Sequence, residues 1–246
     1  MSKYILFLFF FSSLILSGEL YTQNDISNNV LRDCIENYYG ENDLLINGNI
    51  YIPTNPKISG HQFYLNNEYL RGKVFIKGQT FDNLLLKYDI VHDDIILLHK
   101  NKTGSRIEII LSNKLIDSFY LSAKNSNFYY EHFINTNLIR NNDFSNKYLK
   151  SINIGKIKFL IGYKKKYFAT YTDVNPSGLF SKNTKTIYML KDKTLYKIKN
   201  KKNLISFFKE HKTEIKHFFK KNKIKFKKIN DNQLLQLSKY INNLYK

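Results

Sequence analysis

The chain has few cysteines, prolines and glycines, and it has no tryptophan. Its single cysteine, Cys34, excludes an intrachain disulfide. Three prolines and ten glycines in 246 residues exclude collagen-like and low-complexity classes. Hydrophobic residues make up 43% of the chain and aromatic residues 15%, so the chain can bury a substantial core and intrinsic disorder is excluded.

Several catalytic motifs are also missing. The sequence contains no Gly-x-Ser-x-Gly nucleophile motif and no Gly-x-x-x-x-Gly-Lys phosphate loop. Asn175-Pro176-Ser177-Gly178 is typical of a turn. We therefore predict no cofactor and favour a non-enzymatic role. A pair of carboxylates assembled by the fold needs no sequence proximity, so a hydrolase remains an open alternative.

The N-terminus has the pattern of a secretory leader. Lys3 precedes an apolar run over residues 5–16. A membrane-spanning helix needs about 20 apolar residues, so this shorter run predicts a signal peptide over residues 1–22, with an uncleaved anchor as the alternative. The remainder, residues 23–246, is predicted to be a single β-rich domain without a transmembrane span. The expected location is the periplasm, the outer-membrane periphery or the extracellular space.

Apolar spacing predicts an N-terminal helix followed by many short strands. Val30, Cys34 and Tyr38 recur every four residues and predict a helix over residues 26–39, with Cys34 as a small core residue. A reactive thiol or an intermolecular bridge is the alternative for Cys34. From residue 44, turn residues punctuate alternating apolar runs such as residues 84–90. This rhythm predicts an α+β fold that is predominantly antiparallel β, a meander that forms a barrel or a sandwich.

The C-terminal part, residues 203–246, is predicted to be helical and basic. Asn203 is the predicted N-cap of a first helix that breaks near His211. Asp231 is the predicted N-cap of a second helix, whose apolar stripe includes Leu234 and Ile241. The fold therefore ends in two basic helices.

Charge is distributed unevenly along the chain. Residues 1–146 contain 13 basic and 15 acidic side chains, whereas residues 147–246 contain 26 and 5. Only four of the 39 basic residues are arginine, which argues against nucleic acid as the partner, because arginine binds phosphate bidentately. The positive charge instead suits an anionic lipid headgroup or an acidic polysaccharide.

The candidate ligand-binding residues lie in the first C-terminal helix. These are the lysines Lys209, Lys212, Lys216 and Lys220. Neighbouring phenylalanines either enter a lipid interface beside them or pack on the sheet while the lysines face solvent. The phenylalanines are Phe207, Phe208, Phe218, Phe219 and Phe226.

Histidine and aspartate are concentrated in one predicted turn. His92, Asp93 and Asp94, together with Asp89 and His99, offer ligands for a metal or the acidic site of a hydrolase. The alternative is that these residues simply form the turn, where both types are common. His61, in a loop bounded by proline and glycine, is a further candidate, with a packed loop histidine as the alternative.

Six short segments together carry a resemblance to known sequences: Gly60-His61-Gln62-Phe63, Gly72-Lys73-Val74, Leu86-Lys87-Tyr88-Asp89-Ile90, Phe207-Phe208-Lys209, Phe218-Phe219-Lys220-Lys221 and Tyr240-Ile241-Asn242-Asn243-Leu244-Tyr245. With these segments the chain resembles a class of uncharacterised exported β-rich proteins of AT-rich Gram-negative bacteria. The resemblance implies an envelope location and no assigned reaction. We therefore expect a non-enzymatic exported envelope protein that acts as an interaction or accessory module, with another envelope protein as partner. A binder of an anionic envelope ligand is the alternative, and an exported hydrolase is third.

Overall fold

A computed structural model describes residues 43–100, 104–123, 126–133 and 147–245. The predicted signal peptide and the predicted N-terminal helix with Cys34 lie outside these residues. The chain divides into two units, Met1–Ile46 and Asn47–Lys246. In the first unit the structure describes one short helix, α1 (Asp43–Ile46).

The second unit carries every described β-strand. Three α-helices follow the strands: α2 (Lys201–Ser206), α3 (Lys212–Lys221) and α4 (Asp231–Leu244), with a 3-10 turn at Phe226–Lys228. The strands are β1 (Asn49–Ile50), β2 (Leu70–Ile76), β3 (Gln79–Asp89), β4 (Asp94–Lys100), β5 (Arg106–Ile110), β6 (Ile116–Ala123), β7 (Ser126–Phe133), β8 (Lys147–Ser151), β9 (Lys158–Lys164), β10 (Tyr167–Phe168), β11 (Leu179–Phe180), β12 (Thr184–Lys191) and β13 (Thr194–Ile198).

Eleven of these strands form one antiparallel sheet, which confirms the prediction of a mostly antiparallel β fold. The strand order is β1-β5-β4-β3-β2-β6-β7-β8-β9-β12-β13, and β10 pairs with β11 separately. The prediction of a closed barrel is wrong, because β1 and β13 end the order and do not pair with each other in the described part of the chain. Turn spacing predicts which strands are neighbours, whereas closure depends on the tilt and stagger of the whole sheet.

The sheet curls sharply around a cluster of aromatic rings. The rings of Tyr88 on β3 and Tyr148 on β8 lie 6.0 Å apart, although three strands separate β3 from β8. In a flat sheet this separation would be about 19 Å, since neighbouring strands lie about 4.8 Å apart. Phe119 and Tyr130 stack between them at 4.6 Å. All four side chains are buried, so this part of the interior is filled.

The C-terminal helices cover one face of β9, β12 and β13. Phe159, Met189 and Ile198 on that face join one buried cluster with residues of α2, α3 and α4. The opposite face of the same strands carries Leu160 and Tyr188, which belong to a different cluster. The helical residues in the first cluster include Leu204, Ile205, Phe208, Ile215, Phe219, Leu234, Leu237 and Ile241.

The helix starts differ from those predicted. The first C-terminal helix is capped by Asn200, whose side chain accepts a hydrogen bond from the backbone of Asn203. Asn203 is not the cap, because its own side chain accepts from the backbone N–H of Lys199. The last helix is capped by Asn230 through a capping box with Gln233, which places Asp231 in the first turn. The structure contains three C-terminal α-helices among the described residues, because the first predicted helix is interrupted over residues 207–211, next to the break predicted near His211.

Candidate functional site

The four predicted lysines lie on or beside α3, and all four are exposed. Helix α3 buries Ile215 and Phe219, which are four residues apart and fix its inner face. Lys212, Lys216 and Lys220 repeat with the same spacing along one flank of this face. We call these three residues the lysine stripe. Lys209 is also exposed and lies in the turn between α2 and α3.

The neighbouring phenylalanines do not join this surface. Phe208 and Phe219 are fully buried in the core cluster, and Phe207, Phe218 and Phe226 pack against it. The hypothesis that these rings enter a lipid interface is therefore wrong for this surface. The helix spacing that turns the lysines outward turns the rings onto the sheet.

The lysine stripe has no carboxylate partner among the residues that the structure describes. Within the described ranges, no Asp or Glu oxygen lies within 4.0 Å of the ammonium groups of Lys209, Lys212, Lys216 or Lys220. Like charges four residues apart on a helix cost about 0.2–0.5 kcal/mol per pair. The stripe therefore destabilises the isolated protein slightly, and a bound anion would remove that cost.

Sequence analysis missed a second lysine-rich surface, a groove between the β12–β13 hairpin and the 3-10 turn. The groove has a volume of about 640 Å³. Lys185 is held in place there, since its ammonium group contacts the Asp231 carboxylate at 2.9 Å and the Ile229 carbonyl at 3.2 Å. No sequence spacing could have found the groove, because its residues come from three separate elements. The lining residues are Lys185, Thr186, Ile187, Lys197, Ile198, Lys199, Phe226, Lys227 and Ile229.

A partly buried ion pair links the groove to strand β8. Asp231 also accepts a hydrogen bond from Lys150 on β8 at 2.7 Å, and only 8% of the Lys150 side chain is exposed. Burial alone would raise the pKa of Asp231, but the hydrogen bonds from Lys150 and Lys185 outweigh it and hold the pKa below its usual value. This contact fixes the start of α4 against two strands of the sheet.

The predicted metal or hydrolase cluster forms the turn between β3 and β4. Asp89 is buried, and its carboxylate accepts hydrogen bonds from the backbone N–H groups of Val91 and His92. The His92 ring contacts the same carboxylate at 2.8 Å. In the described part of the chain, no three His, Cys, Asp or Glu side chains are grouped so that they could hold a metal ion. His99 lies elsewhere, opposite Ile107 in the β4–β5 ladder.

The two remaining carboxylates of this turn hold the curled sheet together. Asp93 accepts the hydroxyl hydrogen of Tyr88 at 2.6 Å. Asp94 accepts a hydrogen bond from the side-chain amide of Asn113 at 2.8 Å. The amide oxygen of Asn113 in turn accepts a hydrogen bond from the Tyr148 hydroxyl. Burial raises the pKa of Asp94, although the Asn113 hydrogen bond partly offsets this. These contacts favour the turn-forming interpretation over a catalytic one.

His61 packs against a buried lysine. The ammonium group of Lys165 donates to the carbonyl oxygens of His61 at 2.7 Å and Phe63 at 3.0 Å. Burial, with the positive charges of Lys165 and Lys87, lowers the pKa of the His61 ring. His61 is thus part of the contact that ties its loop to the chain after β9.

Comparisons with known proteins give no match. No family model, curated protein or solved structure matches the chain. None of the helices in the described ranges is long and apolar enough to cross a membrane.

Proposed function

We propose that this protein is an exported, non-enzymatic module of the cell envelope that binds an anionic envelope component through the lysines of its C-terminal helices. The exported location rests on the predicted leader over residues 1–22 and on the resemblance described above. It places the protein in the periplasm, at the outer-membrane periphery or outside the cell. An accessory role beside another envelope protein is compatible with this activity.

The observation that carries the proposal is the lysine stripe, which has no carboxylate partner among the described residues. Lys212, Lys216 and Lys220 repel one another along α3, and no described carboxylate lies within 4.0 Å of their ammonium groups. The surrounding region is also basic, because residues 147–246 contain only 5 acidic side chains against 26 basic ones. A surface of this kind attracts anions at long range, and salt weakens the attraction.

The test is retention of the purified protein on a heparin column. We expect retention at low ionic strength and elution at moderate salt. The triple variant Lys212→Gln, Lys216→Gln, Lys220→Gln should elute at clearly lower salt, because three unpaired charges are removed from one surface. A matched control, Lys57→Gln, Lys100→Gln, Lys114→Gln, removes the same charge from exposed positions of the N-terminal half and should elute later than the stripe variant.

Two results would reject the proposal. One is failure of the wild-type protein to bind heparin at low salt. The other is equal elution of the stripe variant and the control, which would mean that only net charge matters. Parallel columns with an acidic polysaccharide and with duplex DNA identify the preferred polyanion, and preference for DNA would contradict an envelope role.

A further inference from the structure

The β10–β11 hairpin presents apolar side chains to solvent. It lies between β9 and β12, and its two strands pair Tyr167 with Phe180 and Phe168 with Leu179. Tyr167 and Phe168 are about two-fifths exposed, Tyr171 is 68% exposed and Val174 is 84% exposed. These four residues make the apolar tip of the hairpin. Exposed apolar side chains grouped in one short segment commonly mark an interaction site.

The apolar tip is held in its conformation by the chain around it. The Tyr167 ring packs on Phe180 at 5.5 Å, and its hydroxyl donates to the carbonyl of Ser177. Thr172 and Asn175 exchange backbone hydrogen bonds across the turn. The structure therefore turns the exposed rings outward instead of burying them.

The base of the hairpin is fixed and surrounded by lysines. The backbone of Ser59 donates to the Gly178 carbonyl at 3.1 Å and accepts from the Phe180 N–H at 2.9 Å. Lys164, Lys166 and Lys182 flank the hairpin on both sides, and all three are exposed. No carboxylate of the described residues lies within 4.0 Å of these three ammonium groups.

The lysine-rich groove lies at the same end of the sheet. In the β9–β12 ladder Lys164 pairs with Thr184 and Tyr163 with Lys185, so Lys185 is next to the hairpin base. Lys199 directly follows Ile198, the partner of Ile187 near the start of β12. One end of the sheet thus combines an apolar tip with a wide basic rim.

We propose that this end of the protein docks on an anionic lipid bilayer, with the apolar tip inserted at the boundary between headgroups and acyl chains. The proposal rests on the proposed function for its electrostatic part and names the anionic component as a membrane. Tyrosine and phenylalanine favour the membrane interface, and lysines beside them contact anionic headgroups. A stable protein interface needs about 800 Å² from each partner, which four side chains on one narrow tip do not supply, whereas a bilayer sets no such minimum.

The absence of tryptophan from the chain allows a direct test. The variant Tyr171→Trp carries a single tryptophan at the apolar tip, and Tyr129→Trp carries one at an exposed position on β7, outside the hairpin. With vesicles of phosphatidylcholine and phosphatidylglycerol, the Tyr171→Trp emission should shift to the blue and be quenched by brominated lipid. The Tyr129→Trp emission should stay unchanged. An unshifted Tyr171→Trp emission on vesicle-bound protein would overturn the proposal.

Vesicle sedimentation distinguishes the contribution of the apolar tip to membrane binding from that of the lysine stripe. The double variant Tyr171→Ser, Val174→Ser should bind these vesicles about tenfold more weakly and keep its heparin retention, because neither substitution changes the charge. Asp173→Asn removes the acidic side chain next to Val174 in the hairpin loop and should tighten vesicle binding about fivefold, since a charge near an anionic surface is worth about 1 kcal/mol.

The outcomes for the two proposals are distinct. Retention on heparin without vesicle binding rejects the membrane inference and leaves the proposed function standing. Vesicle binding that is insensitive to all three tip substitutions also rejects the inference. A wild-type protein that binds neither heparin nor vesicles rejects both the proposed function and the membrane inference.

Discussion

At the residue scale, two lysines are buried although the sequence predicts exposed charges at their positions. Lys165 is the middle residue of three consecutive lysines, yet it alone turns inward to donate to the carbonyls of His61 and Phe63. Lys150 is buried against Asp231 and lies over the Phe128 ring at 4.1 Å. The sequence could not distinguish Lys165 from its neighbours, because its acceptors lie about one hundred residues earlier in the chain.

Another residue-scale feature is a backbone strain in the turn between β12 and β13. This two-residue turn contains Asp192 and Lys193, which both have positive φ, at 50° and 58°. The turn between β2 and β3 has the same form, but there Gly78 occupies the second position. A non-glycine residue with positive φ lowers the stability of the folded protein by about 1–2 kcal/mol. Glycine avoids this cost, but its greater conformational entropy in the unfolded chain cancels part of the advantage.

We therefore expect Lys193→Gly to stabilise the protein by about 0.5–1 kcal/mol in chemical denaturation. The reverse change, Gly78→Lys, should destabilise it by a similar amount. Gly78 has no atom within 4 Å of the position a Cβ would take, so its substitution tests the backbone alone. Equal stability of Lys193→Gly and the wild type would show that the turn is not strained.

At the element scale, local pattern predicted the strands better than the helix starts. The alternation of Leu84, Leu86 and Tyr88 is typical of a half-buried strand, and these residues lie in β3 with Leu86 and Tyr88 buried. The cap positions shifted because adjacent Asn and Asp residues compete for the same role. The groove and the apolar tip were not predicted, since both depend on which elements the curled sheet brings together.

The ion pair of Asp231 with Lys150 and Lys185 is the contact that should most affect the helical layer. Asp231→Asn removes the charge and leaves Lys150 buried without a carboxylate. We expect a loss of about 1–3 kcal/mol, less than for a fully buried pair because 38% of the Asp231 side chain is exposed. Asp82→Asn is the matched control, since Asp82 is about as exposed as Asp231 but its partner Lys73 is 49% exposed, and this pair should contribute under about 1 kcal/mol.

The same ion pair predicts a pH dependence. The pKa of Asp231 is lower in the folded protein than in the unfolded chain, so its contribution is complete above the unfolded pKa, about 3.9. The contribution is then lost as the pH falls through the folded pKa. The stability difference between wild type and Asp231→Asn should therefore be constant from pH 6 to about 4 and shrink as the pH is lowered further to about 3 and below. A difference that does not shrink at this lower pH would contradict the ion-pair account.

At the scale of the whole molecule, the uneven charge favours binding of an anion but lowers the stability of the folded protein. Residues 147–246 carry more positive charge than the formal net of +19, because residues 1–146 are slightly acidic, and most of their described lysines face solvent on the helical layer and at one end of the sheet. Mutual repulsion of like charges destabilises a folded protein, and salt screens it, with a Debye length of about 10 Å at 0.1 M. Each unpaired lysine thus favours an anionic partner and opposes the folded state.

Salt should therefore change the stability and the heparin binding of the wild-type protein in opposite directions, and the lysine-stripe variant should respond less. The melting temperature of the wild type should rise as sodium chloride increases from about 0.01 to 0.3 M, whereas its binding to heparin should fall over the same range. The variant Lys212→Gln, Lys216→Gln, Lys220→Gln should be more stable than the wild type at low salt, by roughly 0.5–1 kcal/mol for two repulsive pairs. Its melting temperature should also depend less on salt. A variant that loses both binding and stability would instead show that the stripe supports the fold, because a surface kept for a partner is expected to gain stability when its charges are removed.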